Sequence, residues 1–230
     1  MLPVSTFNNP TRRTPYLTYG LILTNILVFL WELSLPTREL YNVFYNAAVV
    51  PCQLNLFSLE TPLDIFRSMF LHGSWAHLGS NMLFLWIFGS NVEDYFGRRA
   101  FIAMYLITGA VAALTQTLVH TGVCVPMIGA SGAISGVLGA FLVLYPAVKV
   151  RVAAIFFKFF MRTFVLPAFL VLGYWFIVQL FAGIASLGVD TLSDGGGVAV
   201  FAHIGGFIAG ALIAFVATMF KPVPPAYDAV

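Results

Sequence analysis

Six long apolar stretches constrain the fold of this chain more than any other feature. A helix that crosses a bilayer needs about 20 largely apolar residues, and six windows approach or reach that length. The windows are residues 17–33, 76–92, 100–118, 131–147, 164–187 and 198–220. The series of alternating segments of about ten residues that builds a membrane barrel is not visible. We therefore predict an all-α, polytopic membrane protein, a six-transmembrane-helix bundle without strands.

Composition supports the membrane assignment. Apolar residues make up 60% of the chain and charged residues 9%, whereas an average soluble domain is about a quarter charged. So few polar groups could not cover a soluble surface, which excludes soluble globular, disordered and nucleic-acid-binding proteins. We expect an integral, multi-pass protein with the lipid bilayer as partner and no nucleic acid.

The positions of the basic residues predict the orientation. Cytoplasmic loops carry an excess of Lys and Arg, and nine of the eleven basic residues fall on one side of six spans. These nine are Arg12, Arg13, Arg98, Arg99, Lys149, Arg151, Lys158, Arg162 and Lys221. Both termini are therefore predicted to be cytoplasmic. No transit peptide is visible, which favours a prokaryotic plasma membrane.

We expect a single membrane domain over residues 1–230. It comprises a cytoplasmic N-terminus (1–16), a six-span core (17–220) with an outer connection (34–75), and a cytoplasmic tail (221–230). Cys52 and Cys124 are too few for a disulfide scaffold or a four-ligand zinc site. Both fall on the predicted outer side, where a disulfide is possible, but their spacing does not fix their distance. Self-association stays open.

Four polar side chains lie where the bilayer penalises them. His77 and Asn81 are in the second span, Ser131 opens the fourth, and His203 lies near the start of the sixth. All three spans run from the outer face inward, so the four residues fall at similar depth. Polar groups inside spans are functional candidates, and three helices deliver these to one layer.

Small residues predict how two of these helices meet. His203, Gly206 and Gly210 form one stripe, and Ser131, Ser135 and Gly139 form another, with Gly132 and Gly136 beside it. Small residues four apart let membrane helices approach closely. If the stripes face each other, the Ser131 hydroxyl comes within hydrogen-bond reach of the His203 imidazole, as a serine nucleophile and its base require.

The start of the fourth span adds a second argument. The first backbone N–H groups of a helix are unpaired and the dipole there is positive, so the Ser131 N–H could stabilise an oxyanion, with the Asn81 amide as another donor. We expect no carboxylate in a span at this depth, because Asp190 and Asp194 belong to the outer connection. The residues therefore favour a Ser–His dyad, in which His203 acts as base and then as acid.

Each residue also has a structural explanation. A serine at a helix start is usually a cap, His203 could be a satisfied buried histidine or part of a proton path, and Asn81 and His77 could bond neighbouring helices. A proton-linked carrier is a further alternative. It predicts an acidic or basic partner deeper in the bundle, and no Asp, Glu, Lys or Arg lies mid-span in the sequence.

Three segments match the signatures of a known family. Residues 72–82 read HGSWAHLGSNM, residues 129–132 read GASG, and residues 202–206 read AHIGG with Gly210 following. They resemble the His-x4-His-x3-Asn, Gly-x-Ser-x and Ala-His-x-x-Gly-x-x-x-Gly signatures of rhomboid intramembrane serine proteases. The resemblance runs in order from about residue 61 to 214 and so covers spans two to six.

The resemblance implies a bundle with a water-filled cavity open to the outer side. It implies a hydrolase, a serine endopeptidase that cuts single-span membrane proteins in or near the outer part of their spanning helix, without metal or cofactor. By position, Ser131 would be the nucleophile and His203 the base. Asn81, His77 and the Ser131 N–H would form the oxyanion hole, supported by His72, Gly129, Gly132, Gly206 and Gly210. The alternative is a non-catalytic relative that binds or escorts membrane proteins.

One departure from the family concerns the base. Some members carry a Tyr one turn after the nucleophile, stacked on the catalytic imidazole. Ser135 occupies that position in this chain, so the resemblance leaves open which group orients His203.

Overall fold

A computed structural model describes residues 2–7, 11–55, 58–156, 160–187 and 199–223. The sequence-based assignments of Lys158, Asp190 and Asp194, and of most of the tail, lie outside the described residues. Within them the chain is mainly helical, and the predicted polytopic helical membrane fold is confirmed.

Six helical segments correspond to the six predicted spans. Four are single helices long and apolar enough to cross a membrane: α1 (Tyr16–Ser34), α6 (Arg98–Val119), α8 (Ala168–Ser186) and α9 (Val200–Phe220). The second span is continuous but irregular, with α4 (Trp75–Phe84), a π-helical segment (Leu85–Gly89) and α5 (Ser90–Phe96). The fourth is the shorter α7 (Ser131–Leu144).

Prolines set two span boundaries that differ from the predicted ones. Span four ends at Leu144 rather than at 147, and span five begins at Ala168 rather than at 164. A proline disfavours helical geometry in the residue before it, and Pro146 and Pro167 stand at these two boundaries. Pro167 is itself the N-cap of α8.

The expectation of a chain without strands was wrong. Strands β1 (Leu2–Phe7), β2 (Lys149–Phe156) and β3 (Phe160–Pro167) form an antiparallel sheet in the order β1-β2-β3. In β2, the exposed Lys149 and Arg151 alternate with Val150 and Val152, both fully buried. That period of two is typical of a half-buried strand. The sheet lies on the predicted cytoplasmic side.

The first helix is held to the second span by a buried carboxylate. Glu93 in α5 is 3% exposed and accepts hydrogen bonds from the backbone N–H groups of Leu17 and Thr18, at 3.0 and 2.7 Å. These N–H groups belong to the first turn of α1, which has no intrahelical partners to offer them. A negative charge at this position also interacts favourably with the positive N-terminal end of the helix dipole.

The outer connection is structured and covalently tied to the loop that precedes α7. It contains α2 (Thr37–Ala47), a 3-10 turn (Pro51–Gln53) and α3 (Glu60–Ser68). Cys52 and Cys124 form a disulfide. Beside it, the N–H of Cys52 donates to the carbonyl of Val123 at 3.0 Å, and the N–H of Met127 donates to that of Val49 at 2.8 Å. The loop that leads to Ser131 is therefore anchored on both sides of residue 125.

Helix α7 lies at the centre of the bundle and packs most closely against α9. Every residue from Gly132 to Phe141 is buried. A Cβ atom added at Gly206 would collide with the carbonyl oxygen of Gly132, and one at Gly210 with that of Gly136. The two backbones are therefore in direct contact, as the glycine stripes predict. This contact brings the N-terminal ends of α7 and α9 together.

Candidate active site

Ser131 and His203 meet at the N-terminal end of the α7–α9 contact. The His203 Nε2 atom lies 2.9 Å from the Ser131 Oγ atom, a hydrogen-bond distance. The N-cap of α7 is Ala130 rather than Ser131. The Ser131 hydroxyl therefore does not cap α7.

The other nitrogen of the His203 ring is also bonded. Its Nδ1 atom lies 2.9 Å from the Oε1 atom of Gln179, which α8 contributes. The Trp175 ring, also on α8, lies beside the imidazole at 5.8 Å between centroids and 38° between planes. The Ser135 hydroxyl instead donates to the Ser131 carbonyl at 2.7 Å. An amide and an indole of α8 thus contact the ring, while Ser135 is bonded to its own helix.

His77 and Asn81 lie against the backbone just before Ser131. Gly129 has φ +118°, where residues with a side chain are strained. A Cβ there would lie 2.6 Å from the Cε1 and Nε2 atoms of His77. The Gly129 N–H donates to the Ser68 carbonyl at 2.8 Å. Glycine at 129 is therefore required both by the backbone angle and by the neighbouring imidazole.

His72 lies behind Asn81 rather than on the cavity surface. Its side chain is 1% exposed. The Nδ1 atom donates to the Phe70 carbonyl at 3.2 Å, so Nε2 is the acceptor for the Asn81 Nδ2 at 3.1 Å. Burial, with the neighbouring His77, lowers the pKa of His72 to about 4. A neutral His72 thus fixes the Asn81 amide and leaves its second N–H unused by this contact.

A carboxylate holds His72 in turn, and the expectation that none would lie at this depth was wrong. Glu32, at the end of α1, is 1% exposed. Its two oxygens accept the backbone N–H of His72 at 3.1 and 3.3 Å. Glu32 lies inside the first predicted window, one residue before its end, but it was not considered among the candidate site residues. Glu32 accepts hydrogen bonds from His72 and not from His203. The arrangement around Ser131 is therefore that of a Ser–His dyad and not of a triad.

The start of α9 is capped by a side chain from α6. The Oε1 atom of Gln116 accepts the backbone N–H groups of Phe201 and Ala202 at 3.0 and 3.2 Å. These N–H groups lie in the first turn of α9, where the regular acceptor four residues earlier is missing; that of Ala202 also donates to the Ala199 carbonyl at 3.1 Å. His203 follows directly, so Gln116 fixes the end of the helix that carries it.

One cavity connects these groups. It has a volume of about 960 Å³ and is lined by His77, Asn81, Ser131 and His203 together with residues of the outer connection, the loop before α7, and α8. Volumes of this size are typical of ligand sites. Within the described residues, no group of three or more His, Cys, Asp or Glu side chains is arranged to hold a metal ion.

The arrangement of a serine, a histidine and clustered donors agrees with a comparison against known families. Residues 60–220 match the rhomboid domain. The chain belongs to the rhomboid family.

Individual rhomboid relatives come from mitochondria and from a bacterium. The chain is 34% identical over 139 residues to Rhomboid protein 1, mitochondrial, of Saccharomyces cerevisiae, covering 58% of this chain and 38% of the yeast protein. It is 34% identical over 149 residues to Presenilin-associated rhomboid-like protein, mitochondrial, of Homo sapiens, covering 63% and 36%. It is 32% identical over 203 residues to Rhomboid protease GluP of Bacillus subtilis, covering 86% and 35%. The chain thus spans less than two fifths of the length of each of these relatives.

The structure brings the predicted site residues together around one cavity. Ser131, His203, Asn81 and His77 line the cavity, and His72 supports Asn81 from behind. The predicted supporting glycines occupy contacts that a Cβ would break. These are Gly129 beside His77, Gly132 beside Ala112, Gly206 beside Gly132, and Gly210 beside Gly136.

Three polar residues that the sequence analysis did not select also contribute. They are Glu32, Gln116 and Gln179. Both glutamines lie within predicted spans, where an amide is stabilised by a hydrogen bond to a neighbouring helix. The sequence could therefore have identified Gln116 and Gln179, if glutamines inside spans had been selected as candidates in the same way as histidines.

Proposed function

We propose that this chain is an intramembrane serine endopeptidase with Ser131 as the nucleophile and His203 as the general base. The single observation that carries the proposal is the 2.9 Å contact between Ser131 Oγ and His203 Nε2. The two residues come from different helices and line one cavity. Membership of the rhomboid family supports the proposal, and one relative is named a protease.

The contact accounts for a two-step hydrolysis. The Ser131 hydroxyl attacks a peptide carbonyl carbon while His203 Nε2 takes its proton, and the same nitrogen then returns the proton to the leaving amine. A water molecule next attacks the acyl-enzyme. His203 takes a proton from that water and gives it back to Ser131 as the new carboxyl group leaves.

Donors near Ser131 account for stabilisation of the oxyanion. The Ser131 N–H belongs to the first turn of α7, and Asn81 and His77 line the same cavity. Because His72 occupies one N–H of the Asn81 amide, the other is available to a negatively charged oxygen. Loss of one such donor typically lowers kcat by about 10²–10³-fold.

The proposed substrates are single-span membrane proteins cut in or near the outer part of their helix. A helical backbone has its carbonyl and N–H groups paired, so it must unwind locally before attack. With both termini cytoplasmic, as the basic residues predict, the ends of α7 and α9 that carry the dyad face outward. The single domain over 1–230 and its location in a prokaryotic plasma membrane stay part of this proposal.

The test is cleavage of a detergent-solubilised single-span reporter by wild type, Ser131→Ala and His203→Ala. We expect product from wild type only, because each substitution removes one reacting group. Ser90→Ala is a matched control, since this helical serine bonds to the Trp86 carbonyl away from the cavity; it should cleave like wild type.

Labelling with a serine-directed phosphonate separates the remaining outcomes. Labelling of wild type but not of Ser131→Ala is the expected result. Cleavage by Ser131→Ala after a second purification would overturn the proposal. An unlabelled, inactive wild type would favour a protein that binds or escorts membrane proteins.

A further inference from the structure

The His203 ring is bonded through both of its nitrogens. Nε2 lies 2.9 Å from Ser131 Oγ on one side, and Nδ1 lies 2.9 Å from Gln179 Oε1 on the other. An amide oxygen can only accept a hydrogen bond. The proton of the neutral imidazole therefore resides on Nδ1, and the lone pair of Nε2 points to Ser131.

We propose that Gln179 is a positioning residue that holds His203 in the tautomer able to accept the proton of Ser131. The proposal rests on the proposed function of the same site. With the proton on Nε2, the ring would donate to Ser131 Oγ and could not take its proton. An acceptor at Nδ1 selects between these two tautomers, as the carboxylate does in a Ser-His-Asp triad.

A glutamine suits this site better than a carboxylate would. The ring is 9% exposed, and an unpaired negative charge is expensive inside a membrane protein. The amide provides an acceptor without a net charge. When His203 becomes positively charged during the reaction, the same oxygen still accepts its Nδ1–H, and the amide dipole favours the charge.

The contacts around His203 identify Gln179 as the group with this role. Ser135, one turn after Ser131, donates its hydroxyl to the Ser131 carbonyl. Trp175 lies beside the face of the imidazole and can restrict its tilt. A tilted ring contact does not distinguish Nδ1 from Nε2, whereas a hydrogen-bond acceptor at Nδ1 does.

The setting of Gln179 also indicates a specific role. Its neighbours on α8 are mainly apolar and exposed at the surface of the bundle, namely Tyr174, Ile177, Val178, Leu180 and Phe181. An amide on such a helix loses free energy unless it finds a partner. The partner of Gln179 is the imidazole of the proposed base.

The experiment compares Gln179→Met with Gln179→Glu. The two new side chains are of similar length, but only that of Glu has an oxygen that can accept the Nδ1–H hydrogen bond. We expect Gln179→Met to lower kcat by about 10- to 100-fold, part of the about 10²–10⁴-fold that positioned proton transfer supplies. KM should change little, because Gln179 acts through His203. Gln179→Glu should recover most of the lost kcat, since its carboxylate accepts from Nδ1.

A second readout does not depend on cleavage. In ¹⁵N-histidine-labelled protein at pH 8, the ring-nitrogen shifts report the tautomer, and His203→Ala identifies its signals among four histidines. We expect the Nδ1–H form in wild type and in Gln179→Glu, and a mixture in Gln179→Met.

Two results would overturn the role of Gln179. One is wild-type kcat and tautomer in Gln179→Met. The other is an equal loss in both variants with a lower melting temperature, which indicates packing alone. A third result would separate the two proposals. If wild type is inactive but has the Nδ1–H tautomer, and Gln179→Met loses that tautomer, the protease is refuted while the positioning contact is supported.

Discussion

Helix α9 is held from two sides in different ways. Against α7 it makes backbone contact through glycines, and a single Cβ at Gly206 or Gly210 would collide with a carbonyl oxygen. Against α8 it makes side-chain contacts, with Gln179 and Trp175 at the His203 ring. The first contact sets the distance between Ser131 and His203, and we propose that the second sets the tautomer of the His203 ring. Substitutions on the two sides should therefore fail differently.

The largest expected effect on stability comes from the covalent anchor on the α7 side. Cys52→Ser with Cys124→Ser should lower the free energy of unfolding by about 4 kcal/mol, because the bond closes a loop of 72 residues in the unfolded chain. Melting in detergent, with and without reductant, measures the effect. A double variant that reductant still destabilises as much as wild type would contradict this account.

Breaking the glycine contact should come next. Gly206→Val forces a side chain onto the Gly132 carbonyl, and overpacking of this kind costs about 3 kcal/mol. We expect a lower melting temperature and loss of reporter cleavage together, because α9 must move away from α7. Ile208→Val is the control, since Ile208 is 45% exposed on the same helix. Equal melting of Gly206→Val and Ile208→Val would refute the backbone contact.

A smaller effect on the free energy of unfolding is expected from the titration of His72. On the α8 side, Gln179 does not titrate and contributes no such pH dependence. Folding lowers the pKa of His72 from 6.5 to about 4, mainly through burial. Between these values the unfolded chain binds a proton that the folded chain does not. The stability that comes from the neutral His72 is complete above pH 6.5 and is lost as pH falls towards 4, by about 2 to 3 kcal/mol at pH 4.5.

Melting at pH 7.5 and pH 4.5 measures the contribution of His72, with His72→Gln as the non-titrating comparison. The loss on acidification should be smaller in the variant than in wild type. Identical pH dependence in both would mean that His72 is not buried in its neutral form.

The smallest effect should come from a glycine on the α8 side. Nothing lies within 4 Å of a Cβ built at Gly173, and alanine favours a helix over glycine by up to about 1 kcal/mol. Gly173→Ala should therefore melt at or slightly above the wild-type temperature with cleavage retained. A marked loss would show that α8 packs as tightly as α7 and would remove the contrast between the two sides.

The spans and the contact between Ser131 and His203 could be predicted because each rests on a strong local signal. The bilayer demands long apolar windows, and His203 and Ser131 stand on glycine stripes whose meeting follows from helix geometry. The sheet was not predicted because the sequence was searched for long apolar windows. The period of two, in which Val150 and Val152 alternate with Lys149 and Arg151, was not considered there. The ends of spans four and five were set by Pro146 and Pro167, which a hydropathy window does not weigh.

The supporting contacts of the site could not be predicted, for a different reason. Gln179, Gln116 and Glu32 act on residues 24 to 86 positions away in the chain. No periodicity links them to their partners, because side-chain contacts between helices depend on rotation and tilt. The Cys52–Cys124 pairing is of the same kind, since sequence spacing does not give a distance in space.

The disulfide also divides the chain into a covalent ring and two tails. The ring runs from residue 52 to 124 and contains His72, His77 and Asn81, whereas Ser131 and His203 both lie on the C-terminal tail. The side chains proposed as oxyanion donors, His77 and Asn81, and the proposed Ser131–His203 dyad are thus on topologically separate parts. A single backbone cut inside the ring leaves one covalent molecule until the bond is reduced. A cut between residues 124 and 131 instead leaves Ser131 and His203 together on one fragment that no disulfide joins to the rest of the chain.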